Sequence, residues 1–206
     1  MYDDAAYINA VVTKLADEGK EIVLAAHSYG GIPASEALKG LAKAERKQNR
    51  KKGGVVHVGY MTALVPAVSC GAGSVMVDAP MDYTSLDEDG WLYHPDPART
   101  ATQCFGDVSP EEGTQWCRKF TQHSAASFAN ELTYAGYKDV PASWLFAEKD
   151  GMVLPRMQQS GIDNIERASG RKVDVTRIST DHMPHISAPE QVVDWLVSLV
   201  EKAGRE

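Results

Sequence analysis

Hydrophobic positions along this chain follow two patterns: helical spacing, and the short apolar runs that are typical of buried strands. Helical spacing at Ile8, Val11, Val12 and Leu15 predicts an amphipathic helix over residues 4–18. Short apolar runs predict strands over residues 21–26, 55–65, 142–147 and 173–178. The longer runs are almost continuously apolar, as expected for parallel strands that are buried on both faces.

Helical patterns separate these strands. They predict helices from just after residue 28 to about residue 47, over residues 155–169, and at the end of the chain. The last helix is expected to bury an apolar face made of Val193, Leu196, Val197 and Val200. Regular alternation of strands and helices predicts an α/β fold with a mainly parallel sheet and helices on both faces.

One long stretch interrupts this alternation. Residues 66–139 are rich in Pro, Gly, Asp, Ser and aromatic side chains, with short helical patterns around 109–118 and 121–135. We interpret about 71–139 as a small lid insertion over the sheet edge. The whole chain, 1–206, then forms one domain, because its length suits a single hydrophobic core.

Composition narrows the class of partner. The formal net charge of −7 argues against a nucleic-acid surface. No apolar run approaches about 20 residues, so no membrane span is expected. The beginning, MYDDAAY, is acidic and lacks the apolar stretch of a signal peptide, so a cytoplasmic protein is expected.

The cysteines form neither a disulfide framework nor a metal motif. Free thiols are expected at Cys70, Cys104 and Cys117, although Cys104 and Cys117 could pair in an oxidising compartment. No Cys and His spacing typical of a metal site occurs, so no metal is expected.

The segment VLAAHSYGG, residues 23–31, has the pattern of a nucleophile elbow. An apolar run leads to Ser28 in a turn of small residues, and a helical pattern follows. Gly30 supplies the small residue needed where the backbone packs closely, and Ala26 replaces the usual glycine on the other side. The backbone N–H of Tyr29 would face developing negative charge on an oxyanion.

Two further residues complete a catalytic set. Asp150 follows the strand at 142–147, and His182 follows the last strand, so the order is Ser, Asp, His, as in the α/β-hydrolase fold. The carboxyl ends of parallel strands meet at one edge, where a base and its orienting carboxylate belong.

Each assignment has an alternative. Asp150 could cap the helix that begins near Pro155, Glu148 is a weaker acid candidate, and His185 competes with His182 as the base. His27 points away from Ser28 in an extended strand and is expected to be a buried, hydrogen-bonded supporting residue.

Three motifs carry a family resemblance: AHSYGG, AEKDGMVLP and DHMPHISAPEQVVDWL. They resemble the catalytic segments of the α/β-hydrolase superfamily, in particular the small-lid branch with plant methylesterases, hydroxynitrile lyases and related fungal hydrolases. The resemblance covers nearly the whole chain. It implies a cofactor-free fold in which Ser28 is the nucleophile, Asp150 the orienting acid and His182 the base.

The resemblance also predicts an open sheet edge. Family members place an opening strand, an oxyanion loop and a further strand before the helix predicted at 4–18, and this sequence begins at that helix. The sheet is therefore expected to be N-terminally shortened, with the strand at 21–26 exposed for homo-oligomer contact. The resemblance therefore leaves the second oxyanion donor, which that loop normally supplies, without an expected source in this sequence.

Three functions are compatible with these features. The leading hypothesis is a serine esterase that acts on a small or medium carboxylic ester. The second is a hydroxynitrile-lyase-like or biosynthetic lyase that uses the same triad. The third is a truncated, weakly active or non-catalytic relative that binds a ligand or partner.

Overall fold

The computed structural model describes residues 1–204. The strands are β1 (Glu21–His27), β2 (Gly54–Met61), β3 (Ser85–Leu86), β4 (Trp91–Tyr93), β5 (His123–Ser124), β6 (Ala142–Ala147) and β7 (Asp174–Ile178). The helices are α1 (Tyr2–Asp17), α2 (Gly31–Ala37), α3 (Lys43–Gln48), α4 (Pro97–Cys104), α5 (Pro110–Cys117), α6 (Ala125–Ala129), α7 (Pro155–Ser169), α8 (Pro184–Ser187) and α9 (Pro189–Ala203).

The main sheet is parallel and has the order β1-β2-β6-β7. Its register places Tyr60 of β2 beside Trp144 of β6, and Trp144 beside Val175 of β7. Because the strands are parallel, their carboxyl ends lie at one edge. The segments after β1, β6 and β7 therefore meet there, which confirms the predicted α/β class.

Side-chain alternation in β6 divides the core between the two faces of the sheet. Trp144 and Phe146 belong to the larger cluster, which also includes residues of α1, α2 and α7. Leu145, between them in sequence, packs in a second cluster with Trp195 and Leu199 of α9. Helices therefore cover both faces, as the sequence predicts.

The predicted buried face of α9 is wrong. The residues that pack on the sheet are Val192, Trp195 and Leu199. The four residues expected inside are exposed: Val193 by 56%, Leu196 by 36%, Val197 by 52% and Val200 by 61%. Both helical stripes are apolar, so hydrophobic spacing alone could not decide which one faces the sheet.

Two element boundaries also differ from the prediction. The single helix expected from residue 28 to about 47 is divided into α2 and α3, with Gly40 between them at a φ of +75°, a left-handed conformation that ends a helix. β2 ends at Met61 instead of continuing to Val65, because Thr62 turns the chain with a φ of +44°.

Between β2 and β6 the chain forms α4, α5, α6 and a small antiparallel sheet in the order β3-β4-β5. The helix predicted at 109–118 is present as α5, whereas the one predicted at 121–135 is only the short α6. The strands of two or three residues were not predicted, because so short a segment has no measurable periodicity. We call residues 71–139 the insertion below.

The three cysteines are free thiols, and Cys104 and Cys117 are buried where α4 packs on α5. Within residues 1–204 no helix is both long and apolar enough to cross a membrane.

Candidate active site

Ser28 directly follows β1 in a strained backbone conformation. Its φ is +53°, in the left-handed region that residues other than glycine seldom adopt. The carbonyl oxygen of Ser28 accepts a hydrogen bond from the Leu64 N–H at 3.0 Å, which ties the turn to the segment after β2. Such strain persists where surrounding contacts hold it, and it is common at functional sites.

The close backbone approach in this turn lies at Gly31 and not at Gly30, which corrects the prediction. A Cβ added to Gly31 would lie 2.6 Å from the Leu64 carbonyl oxygen and 3.0 Å from the Ala63 Cβ. A Cβ added to Gly30 would meet no heavy atom within 4 Å. Gly31 is thus the residue that lets α2 start against the chain after β2.

The structure brings Ser28, His182 and Asp150 into one hydrogen-bonded chain. His182 Nε2 lies 3.0 Å from Ser28 Oγ, and His182 Nδ1 lies 2.8 Å from Asp150 Oδ2. An ionised carboxylate only accepts hydrogen bonds, so Nδ1 carries the proton. Nε2 then presents its lone pair to the Ser28 hydroxyl, the arrangement that a general base requires.

Asp150 is held rigidly by its own loop. Its Oδ1 accepts the backbone N–H groups of Met152 and Val153, both at 2.8 Å, while Oδ2 faces His182. The side chain does not cap α7, whose N-cap residue is Leu154 without a side-chain bond. Asp150 is 2% exposed, and these bonds satisfy both of its oxygens.

A cavity of about 640 Å³ opens at this point, lined by Ser28, His182 and residues of the insertion. Its walls are mainly apolar. The apolar lining residues are Leu64, Met76, Ala79, Met81, Leu92, Phe120, Ala125, Phe128, Ala129, Met152, Val153 and Met183. No Lys, Arg, Asp or Glu is among the described residues that line it, so the cavity suits an uncharged group.

A protein-family model described as "Alpha/beta hydrolase family" matches residues 1–195. The chain belongs to this family. The match confirms the superfamily that the three sequence motifs resemble.

Curated relatives of this alpha/beta hydrolase family member include two fungal proteins. "Probable hydrolase R7" of Phoma sp. (strain ATCC 20986 / MF5453) is 32% identical over 199 residues, which are 97% of this chain and 78% of the relative. "Alpha/beta hydrolase nvfD" of Aspergillus novofumigatus (strain IBT 16806) is 24% identical over 192 residues, covering 93% of this chain and 74% of the relative.

Solved structures show the same fold at low sequence identity. A pyrethroid hydrolase from Sphingobium faniae JZ-2 superposes with a TM-score of 0.73 at 20% identity, covering 98% of this chain and 79% of that one. Polyneuridine aldehyde esterase gives a TM-score of 0.67 at 18% identity, covering 95% and 78%. The Arabidopsis methylesterase MES16 gives 0.62 at 16%, covering 97% and 78%.

In this alpha/beta hydrolase family member, His27 supports the loop of His182. The Nε2 atom of His27 lies 2.9 Å from the His182 carbonyl oxygen, and since a carbonyl only accepts, Nε2 donates. Burial, followed by the charge that His182 would carry, lowers the pKa of His27 to about 3, so this ring stays neutral. His27 is hydrogen-bonded as predicted, and the part of its side chain that is not buried lines the cavity.

His185, the alternative base, lies in α8 and not at Ser28. Its ring centroid is 5.0 Å from that of His27, and within residues 1–204 its side chain makes no hydrogen bond to Ser28. Burial lowers the pKa of His185 as well. The structure thus favours His182 over His185 as the partner of Ser28.

A carboxylate that was not predicted from the sequence shapes the histidine loop. Asp181 accepts hydrogen bonds from the N–H of Asp107 at 3.0 Å, the N–H of Met183 at 3.0 Å and the hydroxyl of Ser187 at 2.9 Å. In return, Asp107 accepts the N–H of Asp181 at 2.9 Å, and its other oxygen pairs with Lys149. The position of Asp181 beside His182 was a signal, whereas nothing marked Asp107.

Tyr29, predicted to offer a backbone N–H, lies in the turn between Ser28 and α2. Its side chain lines the cavity, where its ring centroid is 4.5 Å from that of His123. The Tyr29 hydroxyl donates to Asp4 Oδ2 at 2.8 Å, which ties the elbow to α1. No cluster of His, Cys, Asp or Glu suited to a metal ion occurs in the part of the chain that the structure describes.

Proposed function

We propose that this protein is a serine hydrolase that cleaves an uncharged carboxylic ester, with Ser28 as nucleophile, His182 as general base and Asp150 as orienting acid. The observation that carries the proposal is the hydrogen-bonded chain from Ser28 Oγ to His182 Nε2, at 3.0 Å, and from His182 Nδ1 to Asp150 Oδ2, at 2.8 Å. This is the arrangement of an activated serine nucleophile.

In the proposed reaction, His182 Nε2 takes the Ser28 hydroxyl proton while Oγ attacks the ester carbonyl carbon. Asp150 stabilises the imidazolium that forms and keeps its ring oriented. The same Nε2–H then protonates the leaving alkoxide. Water, deprotonated by His182, attacks the acyl-enzyme and releases the acid and free Ser28.

The tetrahedral oxygen needs hydrogen-bond donors that are already in place. We assign one of them to the backbone N–H of Tyr29, which follows the nucleophile at the start of the helical turn. Loss of a single oxyanion donor typically costs about 10²–10³ in rate, so the number of donors bears directly on turnover.

Other observations support an ester over a charged substrate. The cavity beside Ser28 is largely apolar, and its described lining residues include neither a lysine nor an arginine to bind a carboxylate. One curated relative is named a probable hydrolase, and the fold neighbours are named pyrethroid hydrolase, polyneuridine aldehyde esterase and methylesterase.

The test combines covalent labelling with turnover. Wild type, Ser28→Ala and, as a matched control, Ser74→Ala are treated with a fluorophosphonate probe and assayed on short-chain 4-nitrophenyl esters. Ser74 is an exposed serine whose hydroxyl donates to the Gly71 carbonyl oxygen within the same turn. Labelling of wild type and Ser74→Ala but not of Ser28→Ala, with a rate loss of about 10³-fold or more in Ser28→Ala, supports the proposal.

Three other outcomes overturn it. Equal ester rates in wild type and Ser28→Ala remove Ser28 from the mechanism. Cleavage of cyanohydrins without ester turnover or labelling indicates the lyase that shares this triad. Neither labelling nor turnover of either substrate class indicates a non-catalytic binding relative.

A further inference from the structure

The wall of the largely apolar cavity includes a tyrosine hydroxyl that makes no hydrogen bond to the described residues. Tyr83, just before β3, is 4% exposed and lines the cavity. Within residues 1–204 its hydroxyl makes no hydrogen bond. The hydroxyl oxygen nevertheless keeps some contact with solvent. Because Tyr83 is almost wholly buried, we infer that this solvent-accessible hydroxyl faces the cavity.

His94, just after β4, also lines the cavity. Its ring stacks on that of Tyr83, with centroids 6.0 Å apart and planes 12° apart. His94 Nδ1 lies 3.3 Å from the Tyr83 carbonyl oxygen and 3.3 Å from Thr100 Oγ1. A carbonyl oxygen can only accept, so we assign the ring proton to Nδ1, which faces the Tyr83 carbonyl, and the Thr100 hydroxyl can then donate to the Asp96 carbonyl oxygen at 3.1 Å.

The other nitrogen of His94 is therefore an acceptor. Among the described residues Nε2 has no hydrogen-bond partner, and this nitrogen also keeps some contact with solvent. Burial lowers the pKa of His94, which keeps the ring neutral near pH 7. Burial raises the pKa of Tyr83 to about 12, which keeps its hydroxyl protonated. Both groups thus keep these roles near neutral pH.

We propose that the Tyr83 hydroxyl and His94 Nε2 form a donor–acceptor pair that binds a hydroxyl group on the substrate. A hydroxyl is the simplest group that accepts one hydrogen bond and donates another. This inference rests on the proposed function, and it narrows the substrate class to uncharged, mainly apolar esters that carry a hydroxyl away from the scissile bond. A buried polar pair left unpaired by the wrong ligand penalises that ligand, which is how such pairs confer specificity.

The test compares matched substrates in one enzyme. 4-Nitrophenyl esters of 3-phenylpropanoate and 4-phenylbutanoate are prepared with hydrogen, hydroxyl or methoxy at the meta or para ring position. For the best-placed hydroxyl, wild type is expected to show a kcat/KM at least about tenfold above that of its methoxy and hydrogen counterparts. Tyr83→Phe and His94→Phe should each bring this ratio to within about threefold of one.

The ratio is measured within each variant, so a general loss of activity cancels. Tyr93→Phe is the matched control, because Tyr93 is an exposed tyrosine of β4 outside the cavity lining and should keep the wild-type ratio. His123→Phe tests the second histidine of the insertion that lines the cavity, which packs beside Tyr29. A wild-type ratio near one, or a preference lost only in His123→Phe, overturns the proposal.

A binding measurement separates this proposal from that of ester hydrolysis. Dissociation constants of the same esters are measured with Ser28→Ala, which retains the cavity. Preference for the hydroxyl ester in binding supports the donor–acceptor pair even if fluorophosphonate labelling fails. Labelling and turnover without any hydroxyl preference leave the hydrolase intact and refute the pair.

Discussion

The side chain of His27 supports the backbone of His182, the residue whose ring faces Ser28. Its Nε2–H donates to the His182 carbonyl oxygen at 2.9 Å, and the two ring centroids are 4.8 Å apart. Thr62 also donates to this carbonyl, at 3.4 Å. The residue before the proposed nucleophile thus helps to position the proposed base.

The first prediction concerns this positioning role. His27→Leu removes the donor and should lower kcat on aryl esters about tenfold or more, because small displacements of a catalytic group cost rate. His27→Gln has an amide N–H that can reach the carbonyl, so it should recover most of the loss. KM should change less than kcat in both. Equal rates in wild type and His27→Leu would show that the bond does not position His182.

The second prediction follows from the lowered pKa of His27. The unfolded chain binds a proton at a histidine pKa near 6.5, whereas the folded ring resists protonation down to about 3. Between these two pH values the unfolded state binds more protons than the folded state. The stability that neutral His27 contributes is therefore fully present above about pH 6.5 and is lost as the pH falls toward about 3. Between pH 7 and pH 5 this group should cost about 2 kcal/mol of unfolding free energy.

Denaturant unfolding at pH 7, 6 and 5 checks this value. His27→Gln lacks the titrating group, so its stability should fall less than that of wild type by about the same 2 kcal/mol. Parallel losses in the two proteins would mean that His27 is protonated as readily in the fold as in the unfolded chain.

The third prediction concerns Asp150, whose carboxylate orients His182 Nδ1–H. Asp150→Asn is nearly isosteric, but the amide nitrogen competes as a donor and favours the wrong histidine tautomer. We expect kcat to fall about 10³–10⁴-fold at neutral pH. Asp139→Asn is the control. In the described chain the Asp139 carboxylate accepts a side-chain hydrogen bond only from Tyr134, and the residue lies outside the three catalytic sequence motifs. A loss below tenfold in Asp150→Asn would argue against an orienting role.

Much of the fold could be predicted where one pattern was strong and unopposed. The continuous apolar run of β6 and the long amphipathic pattern of α7 gave the observed limits, Ala142–Ala147 and Pro155–Ser169. The proximity of Ser28, Asp150 and His182 followed from parallel topology, because each comes after the carboxyl end of a strand.

Other features depend on contacts that no local pattern encodes. α9 has two apolar stripes, and only packing against Leu145 and Ile178 determines which one is buried. The reciprocal bonds between Asp107 and Asp181 join residues 74 positions apart, so only the folded insertion brings them together. The donor–acceptor pair of Tyr83 and His94 likewise depends on the pairing of β3 with β4.

The fourth prediction compares the two glycines after the nucleophile. Gly31→Ala places a Cβ 2.6 Å from the Leu64 carbonyl oxygen, a backbone atom that cannot move alone, and should cost about 1–3 kcal/mol of stability. Gly30→Ala meets open space, and Gly30 has an ordinary helical φ of −53°, so its stability should stay within about 0.5 kcal/mol. Thermal and denaturant unfolding distinguish the two, and a reversed order would contradict the close approach.

The fifth prediction tests which face of α9 is covered in solution. Val192 is 6% exposed against the sheet, and Val197, on the same helix, is 52% exposed. Val192→Ala should lower the unfolding free energy by about 1–3 kcal/mol, because it removes two buried methyl groups and leaves a cavity. Val197→Ala should change it by less than about 0.5 kcal/mol, as is usual for surface positions. The substitution is the same in both, so side-chain chemistry cancels, and a comparable loss at Val197 would reveal that the outer stripe is covered.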